Sequence, residues 1–185
     1  MPATLGVGPL LKRDYWAILA GCRLTPSEVM AHVKLHFCEL PPPALVEFVA
    51  NEGVHKDAEL DIRILPAQHC RVRVVHEDAQ SLTLGTLDGH PEAGRITFGS
   101  YRNAEGEVIF HIRSRARSSS TPTRLGFLAI GEAMQTNTWT DFINRAAASV
   151  HAQIRDVIHA DTERVAELPE DGDPLRTPTF AAVGD

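Results

Sequence analysis

Cysteine is scarce in this chain and poorly placed for any framework. There are three, Cys22, Cys38 and Cys70, an odd number with no CxxC pair. That excludes a disulfide scaffold and reads as free thiols in a reducing, cytoplasmic setting. Long apolar runs are missing: no stretch approaches the ~18 residues a membrane span requires. Near the start, Leu10 and Leu11 form an apolar pair that Lys12, Arg13 and Asp14 end at once, so no secretory signal is expected. Positive charge is in deficit, with 18 Lys and Arg against 24 Asp and Glu and a net charge of -6. A nucleic-acid partner, which calls for a basic footprint, is therefore not expected. The one basic cluster, Arg113, Arg115 and Arg117, has the spacing of a strand's outer face. Phosphate-binding loops, dinucleotide glycine fingerprints, GxSxG elbows and HExxH motifs are all missing. His32 and His36 stand four apart, but no third ligand lies near them in sequence, so neither a metal site nor a cofactor is expected. There are no internal repeats.

What is present suits one core. Of the 185 residues, 43% are hydrophobic, enough for a single globular domain. Residues 1–13 are small and weakly patterned and read as a tail, and residues 14–20 read as a strand. Thr25-Pro26-Ser27-Glu28 has the form of a capping box with proline at the first helical position, which predicts a helix from Pro26 to about Phe37. Pro41-Pro42-Pro43 stops that helix, and the apolar period then changes from about 3.6 to 2. Leu60, Ile62 and Ile64 alternate with Glu59, Asp61 and Arg63. Val72 and Val74 alternate with Arg71 and Arg73, which places His76 inward. Phe98 alternates with Thr97 and Tyr101, and Val108, Phe110 and Ile112 with His111 and Arg113. Such strands at short spacing predict an antiparallel meander with one dry face. Its cover is a helical pattern through Trp139, Phe142, Ile143, Ala146, Ala147, Val150, Ile154, Val157 and Ile158. This predicts a rod from Thr138 to about Ala160, with Thr138 as a cap and a weaker lead-in broken near Gly131. Residues 161–185 are acidic and proline-bearing and are expected to form a flexible tail. The expected domain is thus residues 14–160.

The predicted order is strand, helix, about six strands, long helix. It is similar to the helix-grip arrangement of Bet v 1, START-type and other SRPBCC proteins. That resemblance implies an α+β fold in which a curved antiparallel sheet of about seven strands wraps a long C-terminal helix. Curvature of that kind leaves a hollow between sheet and helix, and hollows bind apolar ligands.

One segment carries a more specific resemblance. Gly85-Thr86-Leu87-Asp88-Gly89-His90-Pro91-Glu92-Ala93-Gly94 resembles the signature of an uncharacterised family found in bacteria and plants, Gly-Thr-Leu-x-Gly-His-Pro-Glu-x-Gly followed by two short strands. The strands here are RITFGSYR and EVIFHIRSRAR. Where the family shows an aromatic and then Ser-Arg-Pro, only Arg117 matches, and Gln135 falls where the family often has a glutamine on its last helix.

Two functions follow as expectations. The first is binding of a small, mostly apolar or aromatic molecule, with Arg117, Tyr101, Gln135, Trp139 and Trp16 as candidate pocket residues. The second is a cofactor-independent cyclase, dehydratase or hydrolase on the same scaffold, as the resemblance implies, with His90 and Glu92 as the acid–base pair. His90 and Glu92 are equally readable as residues that only shape their turn. A monomer or homodimer without a membrane span or nucleic-acid partner completes the expectation.

Overall fold

The computed structural model describes residues 1–65 and 68–165, with main chain only for 121–130 and 132. Its elements in chain order are β1 (Val7–Ala20), α1 (Pro26–Leu35), β2 (Val46–Val49), β3 (Glu59–Ile64), β4 (Gln68–Glu77), β5 (Ser81–Thr86), β6 (Glu92–Arg102), β7 (Val108–Ser118), α2 (Thr121–Ser149), β8 (Gln153–Ile154) and β9 (His159–Val165). Strands β2 to β7 follow one another as an antiparallel meander, and β1 closes onto β7. The other edge of β1 carries β9 along Leu10–Trp16 and β8 at Leu19–Ala20, which makes nine strands in one sheet.

Local chemistry sets these elements. At α1 the capping box forms: the Glu28 amide donates to Thr25 Oγ1 at 3.3 Å, and the Thr25 amide donates to the Glu28 carboxylate at 2.7 Å. Val29, Met30 and Val33 then pack inward. In β3 the alternation is realised: Leu60 and Ile62 are buried, while Glu59 on the other face accepts from Arg71 at 2.9 Å and Arg73 at 2.5 Å. The core is aromatic at its centre. Phe37, just after α1, meets Phe48, Phe98 and Phe142 at ring separations of 5.5, 5.0 and 5.5 Å. Phe142, Ile143, Ala146 and Ala147 form the buried face of α2. The helix-grip expectation therefore holds, with nine strands in place of about seven. Among the described residues no helix is long and apolar enough to cross a membrane.

Four expectations change. The strand expected at residues 14–20 begins at Val7, so residues 7–13 are sheet and not tail, and Arg13 is 0% exposed. The long helix runs from Thr121 to Ser149 without a break at Gly126 or Gly131, and it ends well short of Ala160. His151 takes a left-handed conformation (φ 56°), and the Ala152 amide closes back on Ala147 O at 2.9 Å. Asp156 (φ 58°) turns the chain again, so Ile154 lies on β8, Val157 is exposed and residues 159–165 form a strand. Of the expected flexible tail, residues 166–185 lie outside the described residues. Finally, a register shift between Val74 and His76 carries His76 to the surface, where Nε2 lies 3.0 Å from Asp78 Oδ2.

Candidate functional site

Between sheet and α2 lies a cavity of about 140 Å³. Its two halves differ. The side built by β2, β3 and β4 presents Leu45, Val46, Phe48, Ile62, Ile64 and Val72, with Gln68 as its polar residue. The side built by the β5–β6 connection, β7 and α2 adds His90, Glu92, Ser114, Gln135, Thr138 and Trp139. This asymmetry gives the cavity an apolar end and a polar end.

A chain of hydrogen bonds, buried at Arg13 and Glu92 and half-buried at Gln135 and Trp139, forms the polar end. Arg13 points inward from β1, in register with Ser114, and donates from Nη1 to Glu92 Oε1 at 3.1 Å. The second carboxylate oxygen of Glu92 accepts from Gln135 Nε2 at 2.7 Å. Gln135 Oε1 in turn accepts from the Trp139 indole at 3.4 Å. A cation and an anion thus stand paired inside the protein, which is the condition for burying either. Ser114 Oγ is buried and has no hydrogen-bond partner among the described residues.

The turn before β6 positions His90. Gly89 adopts φ 88°, which a side chain disfavours, and the His90 amide closes onto Leu87 O at 3.2 Å. Gly94 is pressed against β7: a Cβ there would stand 2.2 Å from Arg115 O. The His90 ring is half-buried, with Nδ1 at 3.0 Å from both the amide nitrogen and the carbonyl oxygen of Glu92. Nδ1 accepts from that amide in one neutral tautomer and donates to that carbonyl in the other. Burial pushes the ring's pKa down to about 4, so it is neutral at pH 7. Nε2 has no hydrogen-bond partner among the described residues.

The fold thus brings His90, Glu92, Gln135 and Trp139 to one cavity. His90 and Glu92 meet through the Glu92 main chain, while the carboxylate is engaged by Arg13 and Gln135. The other three candidates lie on the opposite face of the sheet. Trp16 stacks on His159 at 3.8 Å. The Tyr101 hydroxyl lies 3.2 Å from His111 Nδ1, and His111 Nε2 lies 2.7 Å from Asp14. Arg117, buried, packs beside Gly6. Sequence reasoning missed Arg13, Ser114 and Thr138. The parity of β7 was enough to find Ser114, which shares a face with Phe110 and Ile112. Among the described residues there is no group of three His, Cys, Asp or Glu side chains that could hold a metal ion.

Comparison with solved structures shows the same architecture elsewhere. Norcoclaurine synthase from Thalictrum flavum, solved with dopamine and hydroxybenzaldehyde, matches with a TM-score of 0.56 at 10% identity, over 80% of this chain and 90% of that one. The Zhui aromatase/cyclase from Streptomyces sp. R1128 matches with a TM-score of 0.54 at 11% identity, over 76% of this chain and 94% of that one. The di-domain aromatase/cyclase StfQ of the steffimycin biosynthetic pathway matches with a TM-score of 0.54 at 14% identity, over 77% of this chain and 51% of that one. At such identities these likenesses establish the Bet v 1-like, helix-grip fold. No curated protein matches the chain. A family model matches residues 30–145, which take in most of α1, the whole meander and the cavity-facing part of α2. The chain therefore belongs to the family described as "Domain of unknown function (DUF1990)".

Proposed function

We propose that this protein binds a small, mostly apolar molecule in the cavity between the curved sheet and α2. The observation that carries this reading is the cavity itself, about 140 Å³ walled on one side by Val46, Phe48, Ile62 and Val72. A dry apolar void of about 150 Å³ takes up benzene, so the volume suits a molecule of about one ring. The enzymes that share this fold support a binding role for the hollow. The test is an NMR titration of the full chain with toluene. Saturable shifts at cavity residues are expected, and Ala116→Phe, which fills the cavity from β7, is expected to abolish them. An unresponsive wild-type protein, or an Ala116→Phe protein that binds equally well, refutes the reading.

One observation favours a second reading, acid–base catalysis without a cofactor. His90 Nδ1 has a donor and an acceptor of Glu92 at equal distance, 3.0 Å, so Nε2 can present either a proton or a lone pair without ring movement. Glu92 would then serve by its main chain, with its carboxylate balancing Arg13. For any substrate found by screening, His90→Gln would abolish turnover and leave toluene binding intact. Retained turnover removes this reading.

A further inference from the structure

Resting on the binding reading above, the geometry points to a narrower ligand class: an uncharged, one-ring molecule bearing a hydroxyl or carbonyl oxygen, anchored by Thr138. Thr138 lies within α2, is 7% exposed and lines the cavity. Its hydroxyl has no hydrogen-bond partner among the described residues. That is unusual inside a helix, where a threonine hydroxyl commonly bonds the carbonyl one turn back. Thr140 does so here, donating to Thr136 O at 2.8 Å. The hydroxyl, on a residue that lines the cavity, is thus open to a partner that a ligand supplies. His90, also lining the cavity, adds Nε2 as a second group without a partner among the described residues, and Ser114 Oγ lies unpartnered just behind the wall. Hydroxyls and a neutral imidazole donate and accept alike, so they match a neutral oxygen.

Charge decides against an anion. The cation and anion at the polar end, Arg13 and Glu92, already neutralise each other at 3.1 Å. The His90 ring brings no charge at neutral pH. Arg95 is shared between the cavity and a hollow on the opposite face of the sheet. A carboxylate entering the polar end would lie beside Glu92, whose partner Arg13 is already engaged.

The test compares toluene, p-cresol and benzoate by NMR titration of the full chain at neutral pH. p-Cresol adds one hydroxyl to toluene and is expected to bind about fivefold more tightly, the worth of one net hydrogen bond. Benzoate is expected to give no saturable shift. Thr138→Val, nearly isosteric, is expected to bring p-cresol to the level of toluene measured on the same variant, and Thr138→Ser is expected to restore the preference. Equal binding of toluene and p-cresol by the wild type, a preference that survives Thr138→Val, or saturable benzoate binding overturns the inference and leaves cavity binding standing. Failure of both toluene and p-cresol to bind overturns the binding reading itself.

Discussion

His90 ties the cavity to a measurable pH dependence. In the unfolded chain the ring takes up a proton near pH 6.5, whereas in the folded protein burial delays protonation to about pH 4. Between those values the unfolded state holds one more proton. Stability is therefore full above pH 6.5 and falls as pH drops toward 4. Each pH unit in that window costs about 1.4 kcal/mol per proton, so moving from pH 7 to pH 5 removes about 2 kcal/mol through this ring alone. His90→Gln keeps a polar side chain in the turn and cannot take up the proton. Urea unfolding at pH 7 and pH 5 measures the effect as the change in midpoint multiplied by the slope. The wild type should lose about 2 kcal/mol more than His90→Gln over that interval. His32 and His111, whose pKa values burial also lowers, contribute equally in both proteins and cancel in the difference. Losses that agree within about 0.5 kcal/mol would refute the argument that the ring is desolvated at the cavity wall.

Two further outcomes follow. Glu92→Gln should cost about 3 kcal/mol in urea unfolding, because it removes the carboxylate paired with the fully buried Arg13, and Arg13→Met combined with Glu92→Leu should recover much of that loss; a single variant as stable as wild type would mean the pair is not buried in solution. Gly94→Ala should destabilise by about 3 kcal/mol, since its Cβ would stand 2.2 Å from a main-chain oxygen of β7 that cannot swing aside, and a loss below about 1 kcal/mol in the same assay would contradict that close approach.

Where structure is local, the sequence already declares it. The Thr25–Glu28 box needs only four neighbouring residues, and β3 displays alternation over a full strand because one face is dry and the other wet. The ends of the chain are harder for physical reasons. Six of the seven residues of β9 are exposed, so no dry face writes an alternation into it. Ile154 and Ile158 keep a helical spacing beyond the end of α2, yet both pack against the core from non-helical backbone. The helix stops at Ser149, and the left-handed residue beyond it is His151, a residue type that does not announce such a turn as glycine would. The start of β1 is hidden because an arginine occupies an inward position, and nothing in a local pattern predicts that Glu92, 79 residues on, will neutralise it.

The site is half legible for a related reason. His90, Glu92, Gln135 and Trp139 sit on elements whose facing can be read, and they converge. Tyr101 has the aromatic character of a pocket residue, but its own strand, with Phe98 inward, puts it on the far face, and parity outweighs character. Thr138 is the instructive case. At the start of a second helix its hydroxyl would accept a main-chain amide and be satisfied. Because α2 runs unbroken from Thr121, the amides near Thr138 are already satisfied within the helix, and the hydroxyl loses that partner. A side chain that would have closed a helix end is left facing a cavity with its hydrogen-bonding capacity unused, and this makes position 138 informative about the ligand rather than about the fold.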